Sequence, residues 1–388
     1  MATYHDLFKV GKEYLNKVRE SQQESIQEAA KLMGDCMLDN GLVQLFGVDH
    51  NHAFTMELFY RAGGLMPYHG FNLRDLVVRG KVSKEEADDP NFTRRSDIID
   101  MMWDMYNVLP NDIFIIATYP SSHLEILRNC LEHNKNVLCE KPLATNIRDA
   151  REFVKLVKGS NAKVLVGHIL RHNKTYKKTG ELIHEGAIGS PIVMRMVQNH
   201  HTKDWERYKK LILESSPIID CGVHYIDIMQ WFTGSRAASV SGIKARTELD
   251  LPEDRYNYGM ICLTFEDGSA AYYEAGWGNT IASENLKEFV GPKGRIRIIY
   301  KDSRGSNQEE GDLIEYYKYA NKEYKTINVD SDRKPTWEQL CHLIDMIEKD
   351  VPAIPSIDEV YLAFESVIAA DEAIRKGIVV DMKNFDEK

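Results

Sequence analysis

The sequence predicts an α/β chain in which a doubly wound parallel sheet is followed by an α+β domain with a large, mainly antiparallel sheet. Two patterns and one length carry this. Short apolar runs alternate with stretches of helical periodicity up to about residue 167. From about residue 190 the pattern changes to successive strands joined by hairpin signals such as Glu266-Asp267-Gly268. A chain of 388 residues is also too long for one ordinary core, so two domains are expected, 1–167 and 168–388.

Taken in order, residues 4–39 carry apolar side chains at helical intervals, and Gly41 is placed to stop the helix. A strand (42–46), a helix (about 52–62), a short strand (65–69) and a helix (about 96–107) follow. "NDIFIIATYP" is a continuous apolar run between turn residues, the pattern of a strand buried on both faces. Helix 121–134, strand 136–139, helix 146–158 and strand 163–167 complete the alternation. A helix over 172–185 leads into the second domain. Its strands are "PIVMRMVQNHH", "ASVSGIKART", "YNYGMICLTFEDGSAAYYEAGWG" and "GRIRIIY", and helices 336–349 and 357–376 close it.

Composition excludes several partners. A net charge of −10 argues against nucleic acid or an anionic membrane surface. No apolar run approaches the roughly 20 residues that span a bilayer, and the N-terminus lacks the apolar core of a signal peptide. Six cysteines without a C-x-x-C pair suggest reduced thiols in a cytoplasm. Neither His50/His52 nor His200/His201 has a third ligand at metal-binding spacing, so no metal is expected.

Four stretches carry a resemblance: "VLCEKPLATN" (137–146), "GHILRHNKTYKKTGELIHEGAIGSP" (167–191), "DCGVHYIDIMQWFTG" (220–234) and "FVGPKGRIRI" (289–298). Together they resemble the glucose–fructose oxidoreductase / inositol dehydrogenase (Gfo/Idh/MocA) family, over about residues 112–380. The specific signal is Glu140-Lys141-Pro142 combined with Asp-x-x-x-His-x-x-Asp at 220–227. The resemblance implies a Rossmann-like first domain, a nicotinamide cofactor (NAD or NADP), a sugar, cyclitol or related polyol as substrate, and a homo-oligomer, dimer or tetramer. It implies Lys141, Asp220 and His224 as the catalytic set, with His224 the proton acceptor.

The residues suit that chemistry. Oxidising a secondary alcohol needs a base near neutral pKa and a cation beside the oxygen. Lys141 follows a buried strand, so its ammonium is expected at the carboxyl edge of the sheet. Asp220 and His224 are four apart on one helix face, and Asp227 is placed to orient the other imidazole nitrogen. "ATYPSSH" (117–123) resembles the family's Thr-Pro-Pro-x-x-His turn beside the nicotinamide, with Tyr119 in place of the first proline. Thr118, Pro120 and His123, with Glu140, Lys141 and Gly47, are thus cofactor-side candidates. Arg171 matches the family's Arg-Phe position, and Arg171 and Trp205 join Asp220 and His224 as substrate-side candidates.

The first 111 residues lack the family's strand–GxGxxG–helix. "QLFGVDHNHAFTMELFYRAGG" offers only Gly47 before Val48 and Asp49. With "GFNLRDLVVRGKV" it resembles instead the SIS (sugar isomerase) phosphosugar-binding domains, which gives a mosaic of 1–111 SIS-like and 112–167 Gfo/Idh/MocA-like residues. A carboxylate at Asp49 disfavours a phosphate at a helix start, since both compete for the same free N–H groups. Two functions remain open. One is an oxidoreductase with an atypical cofactor half; the other is a non-redox sugar or sugar-phosphate binder that has lost its dinucleotide.

Overall fold

The structure is a computed structural model that describes residues 113–301 and 311–385. In the first 112 residues it describes 13, 43–47, 68–70, 73–87, 89, 92, 95 and 97–106. The helices expected over 4–39 and 52–62, and the loop 48–52 with Asp49, lie outside the described residues. The chain divides into two compact units, 1–117 and 118–388.

In the first unit, β1 (Val43–Gly47) pairs in parallel with β2 (Tyr68–Gly70) and with β3 (Ile113–Ala117), Gly47 lying opposite Ala117. Three helices are described: α1 (Leu73–Val78), α2 (Lys84–Ala87) and α3 (Asp97–Tyr106). Leu76, Val82, Phe92, Ile98, Met102, Phe114 and Ile116 are buried. Ile98 and Met102 are four apart, so α3 turns one face inward.

The second unit begins with α4 (Pro120–Glu132), β4 (Asn136–Cys139), α5 (Ile147–Lys158) and β5 (Val164–Val166), the last pairing in parallel with β4. Pro120 starts α4, where its missing N–H is no loss, and Asn146 caps α5 by accepting from the Asp149 N–H. A 3-10 turn (Ile169–His172) and α6 (Lys174–His184) follow. The helix predicted from residue 172 thus starts two residues later, where the Asn173 side chain accepts from Thr175 and Tyr176 N–H.

The remainder is built on nine strands: β6 (Val193–His201), β7 (Ala237–Ala245), β8 (Tyr258–Phe265), β9 (Ala270–Gly278), β10 (Glu284–Gly291), β11 (Gly294–Ile299), β12 (Asp312–Lys318), β13 (Glu323–Val329) and β14 (Val380–Asp381). Their order is β13-β12-β11-β10-β6-β9-β8-β7-β14. All pairings are antiparallel except β6 with β9. Four helices accompany the sheet: α7 (Trp205–Glu214), α8 (Pro217–Thr233), α9 (Thr336–Lys349) and α10 (Ile357–Lys376).

One face of this sheet holds the core. Met194, Met196, Ile261, Tyr273, Phe289 and Ile296 pack with Val223, Ile226, Met229 and Phe232 of α8 and with Ala363, Val367 and Ala370 of α10. Small residues on α10 let it lie close to α8. The cap of α8 is Ser216, whose Oγ accepts from the Ile219 N–H and donates to Asp371 Oδ1. That bond fixes where the first turn of α8, and with it Asp220, begins.

Candidate active site

Lys141 lies in the loop after β4, and Asp220 in the first turn of α8. The two meet: Lys141 Nζ donates to Asp220 Oδ1 and to the Asp220 carbonyl oxygen, each at 2.9 Å. The lysine side chain is 18% exposed. Burial works against its charge, but Asp220 beside it, with Cys221 and Glu140, outweighs burial and raises the pKa. At neutral pH it is an ammonium.

His224 sits one turn along α8, on the same face as Asp220. Burial first, then the Lys141 charge and His168, push its pKa well below the usual histidine value. The ring is therefore a neutral imidazole beside a cation. Its Nδ1 is buried with no hydrogen-bond partner among the described residues.

Asp227 does not orient that nitrogen. Its carboxylate takes two bonds of 2.8 Å from Arg171, at Nε and Nη2, and lies 3.3 Å from His168 Nδ1. Burial opposes the carboxylate, but His168 and Arg171 hold its pKa at about 2. The i, i+3 spacing placed Asp227 near His224 along the helix, but the guanidinium from the 3-10 turn claims it. His168, which no motif or spacing marks, is 1% exposed and meets the His224 ring edge-on at a centroid distance of 6.0 Å. Its signal was its place two residues past β5, at the carboxyl end of a parallel strand.

Arg171 is buried. Besides Asp227 it binds Glu359 at 3.1 Å, and its guanidinium lies 4.8 Å from the Trp231 ring centroid. Its donors are directed into the fold, which ties the 3-10 turn to α8 and α10. Trp205 begins α7 and donates its indole N–H to Asp250 at 2.9 Å. It packs with Tyr208 beside Ile212, Leu251 and Trp277, a cluster that also touches Cys221, the neighbour of Asp220. The Cys221 thiol is pushed up to about 12 by burial and Asp220, so it is no nucleophile at neutral pH.

His123 is fully buried, with Nδ1 3.0 Å from the Pro142 carbonyl and Nε2 3.1 Å from the Thr118 carbonyl. It links the turn at 118–120 to the loop that carries Lys141. Burial lowers its pKa to about 4. Thr118 Oγ1 pairs with Ser122 Oγ at 2.7 Å, and Pro120 opens α4. Glu140 is exposed and accepts from the Lys141 N–H at 3.3 Å. At Gly167 an added Cβ would lie 3.1 Å from Glu140 Oε2, so glycine is what admits this loop. Gly47 belongs to the first unit, at the end of β1. Among the described residues there is no cluster of three or more metal-ligating side chains.

Parallel βα units are thus followed by a domain built on a mainly antiparallel sheet, and a lysine–aspartate pair lies one helical turn from a half-buried histidine. The chain carries two family segments: residues 176–297 match the GFO/IDH/MocA C-terminal domain, and residues 7–122 match the SIS domain. An inositol 2-dehydrogenase of Mycolicibacterium vanbaalenii is 29% identical over 189 residues, 48% of this chain and 54% of that protein. The scyllo-inositol 2-dehydrogenase (NAD(+)) of Bacillus subtilis is 27% identical over 250 residues, 61% of this chain and 71% of that protein. The chain spans about half the length of the first curated relatives it matches. Among solved structures, scyllo-inositol dehydrogenase from Lactobacillus casei with bound NAD(H) and scyllo-inositol superposes with a TM-score of 0.60 at 16% identity. That match covers 88% of this chain and 98% of the other, a likeness of fold.

Proposed function

We propose that the protein is an oxidoreductase that transfers hydride between a nicotinamide cofactor and a secondary alcohol of a sugar, cyclitol or related polyol. The observation that carries this is the pairing of a charged Lys141, fixed by Asp220, with the neutral His224 one helical turn away. The substrate hydroxyl sits against the Lys141 ammonium, which stabilises negative charge as it develops on oxygen. The hydroxyl proton passes to His224 Nε2 as the C–H bond breaks, and the carbinol carbon becomes a carbonyl. A bound nicotinamide supplies the hydride acceptor.

The described residues fit the nicotinamide end of such a cofactor. The turn at 118–120 and the loop at 140–142 are linked by His123, and Gly167 lets the 140–142 loop pack close against it. Thr118, Pro120, Glu140 and Lys141 are the contacts proposed there. His123 acts through the other loop residues, because its ring is enclosed. On the substrate side, Asp220 and His224 make the contacts and Trp205 walls the pocket. Arg171 is a positioning residue, its donors being committed to Asp227 and Glu359. The relatives' names support the nicotinamide and the polyol, and the protein's compartment is proposed to be the cytoplasm.

The second reading, a non-redox sugar or sugar-phosphate binder, is favoured by one observation. Beyond β1 the sequence has no GxGxxG, only Gly47 before Val48 and Asp49. Fluorescence titration with NADH and a turnover screen of inositols and alditols with NAD and NADP separate the two. Replacing Lys141 with Met, or His224 with Ala, is expected to cost roughly 10²–10⁴ in kcat, the scale for losing an electrostatic stabiliser or general base. Normal turnover by His224→Ala would remove it as the proton acceptor, and absence of any nicotinamide binding would favour the second reading.

A further inference from the structure

A neutral histidine that accepts a proton through Nε2 must carry its resting proton on Nδ1. In His224 that nitrogen is buried and has no hydrogen-bond partner among the described residues. The ring beside it is in the same position. His168 is 1% exposed, and neither of its ring nitrogens makes a hydrogen bond among the described residues. The two rings meet edge-on, their centroids 6.0 Å apart and their planes at 71°. Buried ring nitrogens left unpaired in adjacent side chains call for an explanation, because each loses water on folding and regains nothing.

The backbone holds His168 in place. It precedes the 3-10 turn, donating its N–H to the Val166 carbonyl at 2.7 Å and accepting from the Arg171 N–H at 3.0 Å. Its Nδ1 lies 3.3 Å from Asp227 Oδ2, a charge contact that is not aligned as a hydrogen bond. Asp227 and Glu359 share the one guanidinium of Arg171, so two carboxylates face a single cation, Glu359 at the rim with 45% of its side chain exposed. The surroundings of His224 are cationic instead. Lys141, from the loop after β4, and Lys334, ahead of α9, both disfavour its charged form. Asp227 acts on it in the opposite sense but sits against His168. A positive charge is therefore better placed on His168 than on His224.

We propose that His168 is a positioning residue for the proton acceptor, the middle member of a relay that runs Asp227–His168–His224. With its own proton on Nδ1 toward Asp227, His168 presents Nε2 as the acceptor that the His224 Nδ1–H lacks. Once made, that bond fixes the tautomer of His224 and leaves its Nε2 free for the substrate. During oxidation an N–H bond forms at His224 Nε2 with the hydroxyl proton, the one at Nδ1 breaks, and a new one forms at His168 Nε2. The positive charge comes to rest beside Asp227, and the hydride goes to the nicotinamide. At 6.0 Å the rings are not yet bonded, and contacts of this kind tighten when substrate is bound. The inference rests on the oxidoreductase reading in taking His224 as the proton acceptor.

NMR on the full chain with isotopically labelled histidine reads the tautomer without any substrate, His224 being assigned by the signals lost in His224→Gln. The wild type is expected to hold His224 as the Nδ1–H form. His168→Gln, whose amide oxygen accepts from Nδ1–H but cannot take up the proton, should keep that form. His168→Phe, which can do neither, should lose it in favour of Nε2–H. With a polyol and NAD, both variants should lower kcat by about tenfold or more, less than the loss of His224 itself, with KM little changed. A packing role alone would lower the melting temperature of His168→Phe and leave the tautomer as it was. His224 found as Nε2–H in the wild type, an unchanged tautomer in His168→Phe, or wild-type kcat in both variants would overturn the relay. Turnover of a polyol by a protein whose His224 rests as Nε2–H leaves the oxidoreductase reading standing and rejects this one. An Nδ1–H form that is lost only in His168→Phe, with no polyol oxidised and no nicotinamide bound, does the reverse.

Discussion

His123, His172 and His224 are each held neutral by burial, and that has a consequence for pH. Burial lowers the first two to about 4 and the third well below its usual value. Each ring can take up a proton on unfolding at a pH where the folded protein does not, because the unfolded value is near 6.5. A lowered histidine pKa therefore makes the fold more stable above pH 6.5 and progressively less stable as pH falls from 6.5 toward 4. Urea unfolding between pH 7.5 and 4.5 should show this loss, with a steepening slope of up to about 1.4 kcal/mol per pH unit for each histidine. His123→Gln and His172→Gln together should flatten it, and an unchanged slope in that variant would reject the assignment. Lys141 acts in the opposite sense. Its raised pKa keeps it charged throughout this range, so it contributes nothing to the acid loss.

At the scale of elements, the 3-10 turn, α8 and α10 are joined by one buried cation. Arg171 reaches Asp227 on α8 and Glu359 in the first turn of α10, while Trp231 covers its guanidinium. Removing the arginine leaves the Asp227 carboxylate buried without its guanidinium partner. Arg171→Met is expected to cost about 3–5 kcal/mol, the scale for breaking a buried ion pair by deleting one partner. Thermal unfolding is the measurement, and a loss below about 1 kcal/mol would show that water or rearrangement compensates. The double variant Arg171→Met, Asp227→Asn should recover much of the loss, because no uncompensated charge remains. A Ser216→Ala change tests the other anchor of α8 and should cost about 1 kcal/mol through the lost N-cap.

At the scale of the whole molecule, the nine-stranded sheet has a second face. On it Arg195 pairs with Glu288 at 2.5 Å and with the Tyr272 hydroxyl at 3.4 Å, and Val193 at its end is 48% exposed. We propose that a second copy of the chain covers this face, as the resemblance implies. Static light scattering at micromolar concentration should therefore give a multiple of 44.5 kDa, two or four chains. A particle of 44.5 kDa would reject it.

Local pattern was enough for much of the architecture. β4, β5, α9 and α10 lie within a residue or two of where alternation and periodicity placed them, because apolar spacing follows from which face each element buries. The i, i+4 spacing likewise put Asp220 and His224 on one face of α8. What spacing could not decide was which side chains meet across the fold. Asp227 was as near His224 by sequence as by helix geometry, yet Arg171, 56 residues away, takes its carboxylate. Lys287 looks in sequence like any alternating strand residue. Only the packing of β10 beneath α8 buries it and turns it toward Asn285. Periodicity reports the face a residue occupies, but the identity of its neighbour there depends on how distant elements are laid side by side, which only the tertiary structure decides.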